Sequence, residues 1–319
     1  MKALVTGGTG FVGSHLVEAL LKEGFEVHCL IRNLSNKKWL DGLDINFIEG
    51  DCSNRESLEK IKNFDYIFHL AGLTKASSWQ EFYTANVIGT ENIVDVALKN
   101  NPDLKRFIHI SSLAAAGPCD DGKPKCENSP VNPVSAYGKS KLLSEKLVEK
   151  FRDKLPFTIL RPTAVYGPRD RDFYLFFKMV NAGIVPYFGK SYYSLIYIDD
   201  LIKGIILAAK SEIAQGNIYF LANREIVSSD EISSIIAEVL GKKTIKIRIP
   251  RNLMSLIGGL ASKIAKNSII NNDKLIELKY THWICDISKA CNELGFSPKV
   301  NIREGMKWTA NWYRIHKWL

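Results

Sequence analysis

The chain has 319 residues, enough for one large α/β domain or for a core domain with a smaller attachment. Hydrophobic residues make up 46% and charged residues 24%, with no low-complexity stretch and no internal repeat, which excludes disordered, fibrous and solenoid classes. The net charge is +9, and from Leu221 onward 16 Lys and Arg stand against 9 Asp and Glu, but dispersed, as on a solvated surface and not as in a nucleic-acid groove.

The opening MKALVTGG runs straight into a strand-like segment, without the apolar core and cleavage site of a signal peptide. The stretch Leu253 to Ala265 is too short and interrupted to span a bilayer, so a cytoplasmic protein is expected. The segments 3–6, 26–31, 45–49, 66–70, 106–111 and 157–161 are short, nearly continuous apolar runs. They predict parallel strands buried on both faces. Helical patterns lie between most of them, over 11–23, 53–62, 80–100 and 135–154. This βαβ series predicts an α/β fold with a doubly wound parallel sheet.

After Arg161 the rhythm changes, and strands are expected only at 187–189, 194–198, 217–221 and 244–249. Gly241 should end one helix and Pro250 open another. The predicted division is a dinucleotide-binding core over 1–165 and a smaller C-terminal α/β substrate-binding part over 166–319. Residues 199–221 return to the core. The six cysteines and six histidines lack ligand spacing, so reduced thiols and no metal are expected.

Gly7, Gly10 and Gly13 form a GxxGxxG turn between the first strand and first helix. Such a turn lets backbone approach a pyrophosphate at a helix N-terminus, which predicts a bound dinucleotide. The second strand ends in Arg32 and Asn33, with no acid for a ribose diol. An Arg there suits a 2′-phosphate, so NADP(H) is favoured and NAD(H) remains possible. Further on, NPVSAYGKSKLL (132–143) puts Tyr137 and Lys141 four residues apart, on one helical face.

Together these motifs resemble the extended short-chain dehydrogenase/reductase family, the NAD-dependent epimerase/dehydratase group. The resemblance covers nearly the whole chain: GGTGFVG (7–13), EGD (49–51), HLAG (69–72), NVIGTENIV (86–94), ISS (110–112), YGKSK (137–141), RPTAVYGPRD (161–170), YIDDL (197–201), KACNELGFSP (289–298) and EGMKWTANWYR (304–314). It implies a Rossmann core in which Thr9, Phe11 and Val12 join the three glycines at the cofactor. Asp51, with Cys52 beside it, would meet the adenine, and Leu70, Ala71 and Gly72 would line the adenosine. Asn86 would hold the central helix against the active-site strand. Pro162 and Thr163 would face the carboxamide. Ser112, Tyr137 and Lys141 would be the catalytic triad, and a homodimer would form through the helices near 80–100 and 135–154.

The physics of the triad agrees with these roles. A free phenol titrates near about 10, too high for a base at neutral pH. A neighbouring ammonium favours its ionised form.

The triad serves reductases, epimerases and dehydratases, so departures from the family pattern matter. Leu113 and Ala114 follow Ser112 where dehydratases carry an acid pair. Tyr193 stands where sugar-nucleotide enzymes carry an Arg before the YIDD motif, and Lys279 is the nearest cation at the later Arg position. SSLAAAGP (111–118) and SLIYIDD are closer to the dihydroflavonol-reductase-like and 3β-hydroxysteroid-dehydrogenase-like branch. The aromatic segments 172–180 and 187–197 suit an apolar pocket, while Arg169 and Arg171 leave a phosphate-bearing substrate open.

The expectation is an NADP(H)-dependent oxidoreductase for a small-molecule secondary alcohol or ketone. A nucleotide-sugar 4-epimerase with bound NAD is the alternative, and a non-catalytic NADP-binding regulator the third reading. Neither a nucleic-acid partner nor membrane association is expected, although the apolar segment 250–266 has basic flanks.

Overall fold

The computed structural model describes residues 1–34, 37, 39–119, 121–250 and 272–319. The predicted helix start at Pro250 and the apolar segment after it therefore lie largely outside the described residues.

Six strands follow the apolar runs closely: β1 (Lys2–Thr6), β2 (Glu26–Ile31), β3 (Asn46–Glu49), β4 (Tyr66–His69), β5 (Arg106–Ile110) and β6 (Phe157–Pro162). The later strands are β7 (Ala164–Tyr166), β8 (Ile184–Tyr187), β9 (Tyr192–Tyr197), β10 (Asn217–Leu221), β11 (Ile226–Ser228), β12 (Ile245–Arg248) and β13 (His282–Trp283). A seven-stranded parallel sheet runs in the order β10-β6-β5-β4-β1-β2-β3. The order reverses at β1, between β4 and β2. Open α/β sheets bind ligands at the carboxyl ends of their strands beside such a switch point.

Pleating explains the apolar runs. β1 sends Ala3 and Val5 into one core and Leu4 into the other. The first core is closed by α1 (Phe11–Lys22) and α7 (Ile198–Lys210). The second is closed by the helix of the β4–β5 crossover, which begins as α2 (Trp79–Phe82), passes through a π-helical turn (Tyr83–Ile88) and continues as α3 (Gly89–Asn100). α7 and β10 both contribute to the first core, although the chain has by then left the sheet once to build β7, α6 (Asp172–Asn181), β8 and β9.

Two predicted elements come out differently. Residues 53–62 form only a 3-10 turn (Arg55–Leu58). Ser53 donates its N–H and hydroxyl to Asp51 Oδ1, Glu56 N–H donates to Asn54 Oδ1, and Ser57 Oγ donates to the Asn54 carbonyl. These local bonds give the backbone an alternative to a helix. The strand expected at 187–189 lies earlier, at Ile184–Tyr187. There it pairs in parallel with β12, and Gly189 at φ +91° turns the chain away.

Asp200 fastens the C-terminal segment to this frame. It is fully buried on α7, and its Oδ2 accepts the N–H groups of Lys299 (2.9 Å) and Val300 (2.8 Å), just before the helix Ile302–Ile315. Asp200→Ala would leave both donors without an acceptor. A loss of about 3 kcal/mol in urea unfolding is expected. Lys203 lies 3.5 Å from Asp200 but is 60% exposed, so Lys203→Ala should cost less than about 1 kcal/mol.

Candidate active site

The site begins where β1 gives way to α1. Gly7 takes φ +73°, and the Gly10 N–H donates to its carbonyl at 3.0 Å. A Cβ at Gly13 would lie 2.1 Å from Gly7 O, and one at Gly7 would lie 2.8 Å from Ala71 N. Only glycines let the turn, the helix start and the end of β4 come this close. Gly10 is the N-cap of α1 and offers no side chain, so the positive helix end is left to an outside acceptor. Thr9, Phe11 and Val12 are half-buried around it. This cradle fits a dinucleotide pyrophosphate.

At the adenosine end, Arg32 is exposed directly after β2, and Asp51 and Cys52 follow β3. Asp51 Oδ1 is taken by Ser53, and the Asp51 N–H donates to Ser57 Oγ at 2.9 Å. Burial pushes the Cys52 thiol up to about 12, so it stays neutral. Leu70, Ala71 and Gly72 leave β4 side by side. The Leu70 and Ala71 N–H groups are held by Thr6, through its carbonyl (3.2 Å) and hydroxyl (3.1 Å) respectively.

Asn86 links this wall to α5 (Ala136–Glu149), the helix that carries Tyr137 and Lys141. Its Oδ1 accepts the Leu73 N–H at 2.7 Å. Its Nδ2 donates to Leu73 O (3.0 Å) and Ser140 Oγ (2.8 Å), and Ser140 Oγ donates to Tyr137 O at 2.7 Å. Asn86 lies in the π-helical turn, a feature frequent at functional sites and without a sequence signature.

Ser112, Tyr137 and Lys141 come together at the carboxyl end of β5. Ser112 is the N-cap of the short helix α4 (Leu113–Ala116), where its Oγ accepts the Ala114 N–H at 3.1 Å. The same hydroxyl is the hydrogen-bond partner of the Tyr137 phenol. Lys141, one turn further along α5, is 5% exposed and donates to Ile110 O at 2.6 Å. Pro162 ends β6, and Thr163 follows with its N–H bonded to Leu221 O. The Thr163 Oγ1 is buried without a protein partner, as a group meant for a ligand would be.

Burial governs the titration of the pair. It pushes the Tyr137 phenol up to about 12, against the Ser112 hydrogen bond and with the help of the Glu277 carboxylate. It brings the Lys141 ammonium down to about 8, against the attraction of Glu145. Glu145 forms a buried two-pronged ion pair with Arg161, Nε–Oε1 2.9 Å and Nη2–Oε2 2.7 Å, and Ser111 Oγ also donates to Oε1. His69 and His109 stack behind it with centroids 5.6 Å apart. Both are fully buried and held well below the usual imidazole range, first by burial and then by Lys141.

Arg169 is not available for a substrate phosphate. It donates to Ser14 Oγ (3.0 Å), pairs with Glu18 (2.5 Å) and lies over Trp39, which binds it to α1. Sequence reasoning also passed over Asp273 and Glu277. Asp273 accepts the N–H groups of Ala136 and Tyr137, and Glu277 accepts from Ser135 Oγ. Nothing local marks these two acids, because their partners are more than a hundred residues away.

The family model for the NAD dependent epimerase/dehydratase family matches residues 3–222. The chain is similar to a UDP-glucose 4-epimerase of Vibrio cholerae, 31% identical over 96% of this chain and 94% of that one. It is also similar to a ceramide reductase of Caulobacter vibrioides, 27% identical over 99% and 95%. Among solved structures it is similar to a UDP-glucuronic acid 4-epimerase from Bacillus cereus in complex with UDP-glucuronic acid and NAD. The TM-score is 0.79 at 25% identity, with 99% of this chain and all of that one covered.

The depressed Lys141 makes a signed prediction. Its folded value of about 8 lies below the ordinary 10.5, so between these pH values the unfolded chain holds the proton longer and stability rises with pH. Above pH 10 the raised Tyr137 value opposes the trend, because the unfolded phenol ionises first. Because the buried thiols of Cys29, Cys52 and Cys285 ionise first in the unfolded chain and oppose the trend, the contribution of Lys141 is read as a difference: between pH 8 and 10 cofactor-free wild type should gain up to about 2–3 kcal/mol over Lys141→Met in urea unfolding.

Proposed function

The chain belongs to the NAD-dependent epimerase/dehydratase family, a family of NAD-dependent enzymes, and from that premise we propose that it is an oxidoreductase. It would act at a secondary alcohol or ketone of a moderately apolar small molecule, with NADP(H) preferred. The observation that carries this reading is the Ser112 hydroxyl bonded to the Tyr137 phenol, with Lys141 one helical turn away.

A nicotinamide cofactor held by the glycine turn and Thr163 would supply or accept the hydride, and the positive charge of its oxidised form would favour the phenolate. In the reducing direction Ser112 and Tyr137 hold the substrate oxygen between two hydroxyls. Tyr137 gives its proton to that oxygen as negative charge develops there. In the oxidising direction the phenolate takes the proton back, and the Lys141 ammonium favours that ionised form. The glycine turn would hold the pyrophosphate, Arg32 a 2′-phosphate, Asp51 the adenine and Thr163 the carboxamide.

Tyr193 on β9, read in place of a diphosphate-binding Arg, supports an apolar substrate, while Leu113 and Ala114 after Ser112, read in place of an acid pair, speak against elimination. The ceramide reductase relative carries a lipid-like substrate in its name. A UDP-sugar 4-epimerase with bound NAD is the second reading, favoured by the Vibrio cholerae relative. Among the described residues no helix is long and apolar enough to cross a membrane. Our reading places the enzyme in the cytoplasm as a homodimer pairing through α3 and α5.

Tyr137→Phe should lower NADPH-dependent reduction of ketones about a thousandfold while changing the cofactor Kd less than about twofold; retained turnover would sink the assigned acid. Arg32→Ala should weaken NADPH about tenfold and leave NADH unchanged in fluorescence titrations. A rise in Tm with uridine diphosphate glucose, together with tighter NADH than NADPH, would transfer the assignment to the epimerase.

A further inference from the structure

The first turn of α5 is held from outside its own segment. A helix leaves its first N–H groups without internal partners. Here Ser135, the N-cap, accepts the Gly138 N–H at 3.1 Å and so satisfies one of them locally. The N–H groups of Ala136 and Tyr137 donate to the two oxygens of one carboxylate, Asp273 Oδ1 at 2.8 Å and Oδ2 at 2.7 Å. The Ser135 hydroxyl donates to Glu277 Oε1 at 2.9 Å, which leaves its lone pairs for Gly138. Every one of the first three donors of the catalytic helix therefore ends on a side-chain oxygen. Two acids of the C-terminal part take part in that arrangement.

Those acids lie on the helix Asn272–Glu277. Its end is tied to the substrate side, because Trp283 Nε1 donates to Glu277 O at 3.1 Å. Trp283 lies in β13, which pairs with Tyr193 of β9. A continuous path thus runs from β9 through β13 and Glu277 to the turn that carries Tyr137. A negative charge at a helix N-terminus is favourable in itself. Beside a phenol it also opposes ionisation.

We propose that Asp273 and Glu277 are positioning residues for Tyr137: they hold the first turn of the catalytic helix and set the charge around its phenol, so that docking of the C-terminal part is felt at the catalytic residue. The proposal rests on Tyr137 being the acid/base of the reaction. The groups acting on the phenol are the Ser112 hydroxyl and the Glu277 carboxylate, with the Phe82 ring at 6.1 Å; Lys141 lies one turn along the same helix, and Asp273 holds the Tyr137 backbone N–H. Lys274 also belongs to this surround, paired with Glu277 at 3.0 Å. Glu277 is 14% exposed and Lys274 57%, so the carboxylate is the less screened of the two.

The test uses the full-length protein with tyrosine carrying carbon-13 at Cζ, with and without NADP+. The Tyr137 resonance is assigned from Tyr137→Phe. Glu277→Gln keeps an acceptor for Ser135 but removes the negative charge. The Tyr137 titration is expected to move down by about half a unit or more, roughly a threefold change in the ionisation constant. Lys274→Met should move it up, since Glu277 then acts alone; a brace with no electrostatic role would not give opposite signs. Asp273→Asn should speed amide exchange at Ala136 and Tyr137 about tenfold while exchange in the central sheet stays unchanged.

Titrations within about 0.2 unit of wild type in both charge variants, with a lowered Tm, would reduce the pair to a structural brace and overturn the proposal. Absence of NADP+ binding or of ketone turnover would instead defeat the functional reading, while the comparison without cofactor still decides the role of the pair.

Discussion

The structure turns on a buried ammonium. Lys141 sits beneath the site with 5% of its surface exposed, and a cation in such a place is expensive unless it is compensated. It donates to a carbonyl, Ile110 O, which carries no full charge. The compensating carboxylate, Glu145, is one turn away on the same helix and is shared with Arg161 and Ser111. Two cations thus share one anion, and the cluster is left with a positive charge. That remainder is useful only if it faces a group that gains negative charge, and Tyr137 is the group on that face.

The surroundings answer to the same constraint. His69 and His109 cannot add charge, because burial and Lys141 hold both rings neutral. Thr90 Oγ1 donates to Asn86 O, so it accepts from His69 Nε2–H at 3.0 Å. The neutral ring is then left with an acceptor at Nδ1, to which Thr6 Oγ1 donates at 2.8 Å while accepting the Ala71 N–H. The chain of bonds starts at the end of β1, beside the cofactor turn, and reaches the residue that holds α5. His109 is similar: Ser144 Oγ donates to Lys141 O, so the imidazole donates to Ser144 Oγ at 2.9 Å. The two stacked rings thus form a neutral layer in which only His109 Nδ1 is buried without a protein partner.

What could be read in advance follows from how local each constraint is. The parallel strands showed as apolar runs because both faces of the sheet are covered, as Leu4 between Ala3 and Val5 shows. The glycine turn showed because backbone crowding at Gly7 and Gly13 admits no other residue, and its spacing lies within one βα unit. The pair of Tyr137 and Lys141 showed because one helical turn separates them. The segment 53–62 misled because its apolar spacing resembles a helix, while Asp51, Ser53, Asn54 and Ser57 bind the backbone into a turn. β8 was misplaced by three residues because its partner, β12, lies some sixty residues further along the chain. The two-residue β13 is too short to leave a pattern, yet it carries the pairing that joins β9 to the helix of Asp273 and Glu277.

The same contrast separates the two halves of the site. Phosphate and ribose are recognised through backbone N–H groups and fixed turns, which demand particular residues at particular spacings. An apolar substrate demands mainly shape, which many sequences supply. The turn after β1 is therefore written in glycines, and the attachment of the C-terminal part is written in contacts between distant segments. Asp200 on α7 holds residues 299 and 300, and Asp273 and Glu277 hold the start of α5. Each is a carboxylate that takes up donors from a remote segment, so the C-terminal part is joined to the core by a few strong directed bonds in addition to its apolar contacts. Such a joint fixes the geometry between the C-terminal part and the start of α5 through a few bonds whose partners lie far apart in the chain.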